Sequence, residues 1–121
     1  MKLILALCLA ISSAAVLADK PAHPVQDAPA CDRECLRGKV SEVLYALVDH
    51  DVSKLPVAAT LRVTEDGVEK PLAKVGLVRS VTKLRGYRQD IIDTRAGQAV
   101  AGVMVEESGA PILLVVRVKL D

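Results

Sequence analysis

The chain has 121 residues, 51% of them hydrophobic, so it can bury a core and wholesale disorder is not expected. Its 16 basic and 15 acidic residues give a net charge of +1, which argues against the concentrated positive field of a nucleic-acid-binding surface. With no Phe, no Trp and two Tyr, platforms for stacking bases or sugars are also disfavoured. We therefore predict one small domain with no nucleic-acid partner.

The first eighteen residues have the pattern of a secretory signal peptide. Lys2 supplies a positive start, an apolar run extends from Leu3 to Leu17, and Ala18 ends a cleavage motif. The run is shorter than the roughly 20 apolar residues that a membrane span needs. We predict that residues 1–18 are a signal peptide, that the protein is secreted or periplasmic, and that it has no membrane contact after cleavage.

Cys31 and Cys35 are the only cysteines that follow the predicted leader, and export would place them in an oxidising compartment. A zinc site would need two further ligands, and redox motifs usually have two residues between their cysteines, not three. We predict a structural disulfide, no metal and no cofactor. Residues four apart on a helix have Cα atoms about 6 Å apart with parallel Cβ vectors, which suits a disulfide poorly. Cys31 is therefore expected just before a helix, with Cys35 in its first turn.

The segment 19–30 contains three prolines and no apolar period, which predicts an extended tether. A helix is predicted from its N-cap, Asp32, to about His50. Its apolar residues recur at helical spacing along one face: Leu36, Val40, Val43, Leu44 and Leu47. One further helical turn is expected over residues 51–55, closed by Pro56.

The rest of the chain is predicted to form strands. A hairpin comprises Thr60–Glu65, the turn Asp66–Gly67 and Val68–Lys70. The segment 71–80 is ambiguous, and both a short helix before Gly76 and a loop stay open. Three more strands follow: Tyr87–Asp93, Gln98–Glu106 and Pro111–Leu120, with turns at 94–97 and 108–109. One helix laid on one face of a curved antiparallel sheet is an α+β arrangement.

Several stretches, taken together, resemble a known family. They are Cys31–Leu36 opening a helix, His50–Pro56 followed by Arg62–Gly67, Gly97–Gln98 opening a strand, and Pro111 leading into Leu113–Leu114 and Arg117–Lys119. Their order is similar to that of a secreted branch of the SnoaL-like proteins, within the nuclear transport factor 2-like superfamily. The resemblance implies that residues 31–121 form a SnoaL-like domain, a cone in which a curved sheet wraps against N-terminal helices around a pocket.

Two departures from the family pattern bear on function. Relatives usually have Gly-Leu-Trp where this chain has Gly76-Leu77-Val78. Relatives also add one more strand after the position of Asp121, so the sheet is expected to lack its last strand and to expose the edge of Ile112–Leu120, which invites association. A truncated chain, a partner that covers the edge and a degenerate gene are three explanations that stay open.

Proton transfer in an apolar pocket requires a group whose pKa is moved by burial or by a charged neighbour. The catalytic candidates are His50, which adjoins two aspartates, and Tyr45, beside the apolar helix face. A helix-end histidine and a core tyrosine are the alternatives. Tyr87 and Arg117 are candidate binding residues, and Arg117 either anchors an anion or pairs with Glu106.

The predicted function is a secreted pocket protein that binds an apolar or mildly acidic small molecule, extended to acid–base lyase or isomerase activity. The alternatives are a non-catalytic binding or dimerisation module, with a homodimer as its partner, and a truncated inactive relative. Catalysis gains support if His50 and Arg117 share one enclosed cavity, and loses support if both lie in solvent.

Overall fold

A computed structural model describes residues 31–121; the predicted signal peptide 1–18 and tether 19–30 lie outside the described residues. A long helix packs on one face of a three-stranded antiparallel sheet, and a two-stranded hairpin lies between helix and sheet in the sequence. The α+β class is therefore confirmed. Within residues 31–121, no helix has the length and apolar character needed to cross a membrane.

Helix α1 comprises Arg33–Val48 and begins as the sequence predicts. The Asp32 side chain accepts a 2.8 Å hydrogen bond at Oδ1 from the Cys35 backbone amide, so one of the amides left unpaired at the helix start is satisfied. A disulfide joins Cys31 to Cys35, with their Cα atoms 5.3 Å apart. Because Cys31 precedes the helix and Cys35 lies in its first turn, the predicted placement of the disulfide is confirmed.

A short hairpin and two short helical segments follow α1. The hairpin pairs β1, Thr64–Glu65, with β2, Val68–Glu69, so its first strand is shorter than predicted. The ambiguous segment forms a 3₁₀ turn, Leu72–Lys74, and then a helix α2, Gly76–Ser80.

The helical turn predicted over residues 51–55 is wrong, because this segment contains bends and turns without helix. The Asp51 carboxylate accepts hydrogen bonds at Oδ1 from the Ser53 amide, at 2.9 Å, and from the Ser53 hydroxyl, at 2.6 Å. Such a local side-chain turn competes with helix formation.

The main sheet has the strand order β3-β4-β5 and is antiparallel throughout. Its strands are β3, Val81–Asp93; β4, Gln98–Glu107; and β5, Ala110–Lys119. The predicted start of the first strand at Tyr87 is wrong, because the strand begins at Val81. Charged residues and Gly86 break the apolar alternation before Tyr87, and the register with β4 shifts twice in the same stretch.

The core lies between α1 and one face of this sheet. Successive side chains of a strand point to opposite faces, so every second residue of β4 faces the helix. The buried apolar residues of the core are Leu36, Val40, Leu44 and Leu47 of α1, Val78, Val81, and Ala99, Ala101, Val103 and Val105 of β4. Half-buried side chains of β5 pack beside them: Ile112, Leu114, Val116 and Val118.

Candidate binding groove

His50 is an exposed residue just after the end of α1, in a left-handed backbone conformation with φ of 57°. Its Nδ1 lies 2.6 Å from the carbonyl oxygen of Val78. A carbonyl can only accept, so Nδ1 carries the proton and donates. This bond ties the end of α1 to α2, which is a structural role. Within residues 31–121, no three His, Cys, Asp or Glu side chains are grouped to hold a metal ion.

Asp51, beside His50, acts as a local cap. The hydrogen bond from the Ser53 hydroxyl, followed by the bond from the Ser53 amide, lowers the pKa of the Asp51 carboxyl below its ordinary value. A carboxylate held in its ionised form is a weak proton acceptor. The Asp51 carboxylate therefore stabilises the local turn with Ser53.

The two tyrosines lie on different surfaces. Tyr45 is 59% exposed on α1, and Tyr87 is 51% exposed on β3, where its hydroxyl donates a 3.1 Å hydrogen bond to Gln89 Oε1. Tyr87 is on the face of the sheet opposite α1, since the paired residues Arg88 and Val103 face the helix. The structure therefore does not bring Tyr45, Tyr87 and His50 together.

Arg117 lies near the end of β5 with its guanidinium exposed. Its Nε donates a 3.0 Å hydrogen bond to the side-chain oxygen of Gln98, and a second guanidinium nitrogen donates to the same oxygen. The alternative that Arg117 pairs with Glu106 is wrong, because Glu106 forms its ion pair with Arg85. Gln98 is neutral, so the positive charge of Arg117 is not balanced by this contact.

A groove of about 740 Å³, here called the β5 groove, lies beside the end of β5. Three parts of the chain line it: the exposed side of α1, the loop that follows α1, and the last residues of the chain. The lining residues are Lys39, Glu42 and Val43; Leu55, Pro56, Val57, Ala58, Leu61 and Leu72; and Arg117, Val118, Lys119, Leu120 and Asp121.

The β5 groove combines apolar walls with two cations at its rim, Arg117 and Lys119, whose side chains alternate to the sheet face opposite α1. Lys39 is paired with Glu42 across 2.9 Å, so these two charges balance. Neither Arg117 nor Lys119 forms an ion pair with any residue in the described part of the chain. Asp121 is one nearby carboxylate in the lining. Such a groove suits a molecule with an apolar body and a single acidic group.

Of the four residues named from the sequence, Arg117 lines the β5 groove, whereas His50, Tyr45 and Tyr87 do not. Sequence reasoning missed the lining residues of α1 and of the loop. The alternation of β5 does contain a signal for Lys119, which shares a strand face with Arg117. No sequence signal places the loop over residues 55–61 against the end of β5, because that approach depends on tertiary packing.

A second charged cluster joins α1 to β3. Asp90, whose side chain is 9% exposed, accepts hydrogen bonds from Arg88 Nε at 2.9 Å and from Arg37 Nε at 3.2 Å. Arg88 also donates to the Ser41 hydroxyl at 2.8 Å and to the Arg37 carbonyl at 3.2 Å. Since every one of these donors has a protein acceptor, we interpret the cluster as a structural clamp.

The comparisons with known proteins give no relative on which function could be based. The chain matches no protein family model, no curated protein and no solved structure.

Proposed function

We propose that this protein is a non-catalytic, exported binding module whose β5 groove takes a small molecule with an apolar body and a carboxylate. The observation that carries the proposal is the pairing of apolar groove walls with two cations, Arg117 and Lys119, that have no carboxylate partner among the described residues.

The groove chemistry favours such a ligand for two separate reasons. Apolar surface removed from water contributes roughly 25 cal/mol per Å², so a hydrocarbon chain against Leu55, Leu61 and Leu120 is stabilised. A carboxylate can accept two parallel hydrogen bonds from one guanidinium, which Arg117 can supply if Gln98 rotates away. The apolar contact provides affinity, and the cation selects the charge of the ligand.

Catalysis receives less support than binding. A general base must reach the proton that it removes, at about 2.6–3.2 Å between heavy atoms or through one water. His50 and Tyr45 do not line the β5 groove, and His50 already uses Nδ1 to hold Val78. A ligand in this groove would therefore meet Arg117 and Lys119 but neither catalytic candidate.

The resemblance to SnoaL-like proteins is compatible with this function, since such domains hold ligands between a sheet and N-terminal helices. We extend the proposal to that fold family and to an extracellular or periplasmic location. The Cys31–Cys35 disulfide supports export, because disulfides persist in oxidising compartments.

Calorimetric titration with a matched series of ten-carbon amphiphiles tests the proposal. Decanoate, decanol and decyltrimethylammonium share an apolar chain and differ in the charge of the head group. We expect affinity to fall in that order, because Arg117 and Lys119 attract an anion and repel a cation.

Substitution of the two cations tests where the ligand binds. Arg117→Gln and Lys119→Gln should each weaken decanoate binding about two- to fivefold, the range of an exposed charge contact. Arg62→Gln, an exposed arginine paired with Glu69 outside the β5 groove, is the matched control and should bind like the unchanged protein. Equal affinity for all three amphiphiles would refute the proposal, as would a decanoate affinity insensitive to both groove variants.

A further inference from the structure

Strand β5 is one edge of the three-stranded sheet. Among residues 31–121, β4 is the only strand that pairs with it, and the pairing runs from Ala110 to Lys119 without a register shift. A regular edge strand presents a row of unpaired backbone groups that can template pairing with another strand.

The turn into β5 determines which backbone groups point outward. Ser108 and Gly109 both have positive φ, 49° and 85°, as in the two-residue hairpin turn that makes Glu107 and Ala110 a hydrogen-bonded pair. Hydrogen-bonded and non-bonded pairs alternate along antiparallel strands. Even-numbered residues of β5 therefore bond to β4, as the 2.9 Å bond from the Leu120 amide to the Gly97 carbonyl confirms at the far end.

The odd-numbered residues of β5 direct their N–H and C=O groups away from β4. After Pro111, which has no N–H, they are Leu113, Val115, Arg117 and Lys119. The side chains of the first two are 59% and 64% exposed. From Pro111 to Val116 the strand contains no charge and no bulge. Of the features that usually keep an edge strand from pairing, this half of β5 has the proline alone.

We propose that β5 pairs antiparallel with β5 of a second copy of this chain, about a two-fold axis that passes through Val115. A two-fold axis perpendicular to the sheet keeps the helix-covered faces of both copies on the same side. Because directly paired residues share a face, the axis passes through the position of one residue, and outward-directed residues of one copy then lie opposite outward-directed residues of the other. The candidates are residues 113–117, and charge, the length of the paired stretch and the number of outward-directed residues that find a strand partner decide between them.

With the axis at Val115, Arg117 lies opposite the partner's Leu113, and Lys119 lies opposite the partner's Pro111. No cation then faces a cation. With the axis at Arg117, that residue would face its own copy, and like charges directly opposite destabilise a sheet. With the axis at Leu113, the paired stretch is shorter, because β5 begins at Ala110. With the axis at Leu114, no like charges face each other, but Lys119 lies opposite the partner's Gly109, which belongs to the turn before β5. With the axis at Val116, the paired stretch is shorter. The Val115 register therefore pairs every outward-directed residue of β5 with a strand residue of the partner and leaves no facing like charges.

The same register also covers apolar side chains on the helix side of the sheet. Leu114 lies opposite the partner's Val116, and Ile112 lies opposite the partner's Val118. These side chains are only half-buried in the single chain, so pairing removes further apolar surface from water. The first residues of the partner's β5 would run beside Arg117 and Lys119 and so border the β5 groove.

We favour a second copy over an unrelated strand because, in the Val115 register, β5 pairs with β5 of the partner over most of its length and no cation lies opposite another cation. The inference goes beyond ligand binding, since decanoate could bind a monomer in the β5 groove. A monomer that binds decanoate would refute the dimer alone.

Sedimentation and disulfide trapping test the proposal on the full-length chain, expressed with its leader and purified in the form that the host cell releases. The unchanged protein should sediment at twice the mass of one chain. Val115→Cys should form a covalent dimer on mild oxidation, because hydrogen-bonded antiparallel partners have Cα atoms about 5.5 Å apart, within the range of a disulfide. Ile91→Cys on β3, 67% exposed on the same sheet face, is the control and should not crosslink efficiently.

A mixed pair provides an independent check on the register. Leu113→Cys and Arg117→Cys, oxidised together, should form the mixed dimer several-fold more readily than either forms alone, because these positions face each other across the axis. Circular dichroism establishes that each variant is folded. A monomeric unchanged protein overturns the proposal, and so does a dimer in which Ile91→Cys crosslinks as well as Val115→Cys.

Discussion

The two edges of the main sheet differ in almost every respect. The β3 edge contains two register shifts and several charged side chains, and the Asp90 carboxylate clamps it to α1 through Arg37 and Arg88. The β5 edge is regular and apolar over most of its length, and its last residues line the β5 groove. Shifts in register and charges are devices that keep an edge from pairing.

We propose that the two edges divide stability from binding. Charges at the β3 edge are used within the chain, since Asp90, Arg88 and Ser41 satisfy one another. The cations at the β5 end, Arg117 and Lys119, have no acidic partner among the described residues and remain free to attract one. We infer that the β3 side holds the fold while the β5 side meets ligands and partners.

The largest expected effect comes from the core on which both edges rest. Leu44 is 1% exposed between α1 and the sheet, and Leu44→Ala should lower the free energy of unfolding by about 2–5 kcal/mol, since it leaves a cavity. Tyr45→Ala, next in sequence and 59% exposed, is the control and should cost much less. Urea denaturation measures both, and equal losses would contradict the packing of α1 described above.

An effect of intermediate size on the free energy of unfolding distinguishes the β3 edge from the β5 edge. Asp90→Ala leaves the half-buried Arg88 without its carboxylate, so the free energy of unfolding should fall by about 1–3 kcal/mol. Arg117→Ala at the other edge should change it by less than about 0.5 kcal/mol, as for an ordinary surface position. Urea denaturation of the pair provides the measurement. If the two variants lost similar stability, the contrast between the edges would be wrong.

The smallest effect concerns the hairpin next to the β5 groove and depends on pH. Glu65 accepts hydrogen bonds from Lys70 Nζ and, at 2.7 Å, from the Gly76 amide. The Lys70 bond, followed by the Gly76 bond, lowers the pKa of Glu65. A depressed folded-state pKa contributes stability above the unfolded pKa of about 4.3, and this contribution is lost as the pH falls through the folded value.

Thermal unfolding across the acidic range should show this dependence. Glu65→Gln should flatten the fall of the melting temperature below about pH 4.3, whereas Glu69→Gln, an exposed carboxylate on β2, should retain it. Identical acid profiles for Glu65→Gln and the unchanged protein would show that these two bonds do not contribute. A side chain at position 76 would crowd the same carboxylate, because a Cβ at this position would lie 3.0 Å from Glu65 Oε1.

The sequence predicts the local parts of this fold well. The Asp32 cap, the position of the Cys31–Cys35 disulfide and the strands around Ser108–Gly109 follow from interactions between near neighbours. The start of β3 does not follow from such interactions, because apolar and polar residues do not alternate regularly over its first positions. Their strand conformation comes from pairing with β4, which is tertiary information.

The candidate site is predictable only in part. The cationic end of β5 is visible in the alternation of Arg117 and Lys119, and the structure places both in the β5 groove. The groove walls formed by α1 and by the loop 55–61 cannot be predicted, because no local sequence pattern indicates which strand these segments approach. His50 illustrates the opposite problem. Its neighbours in sequence suggest a site for proton transfer, but its hydrogen-bond partner, Val78, is distant in the chain and is not predicted by any local pattern.

We propose that ligands bind at the β5 side of the molecule. The most direct test is a decanoate titration of isotope-labelled protein, followed by the backbone amide signals in NMR spectra. We predict that the largest shifts occur at residues 39–43, 55–61 and 117–121, which border the β5 groove, while amides of β3 barely move. Shifts centred instead on His50 or Tyr87 would contradict it.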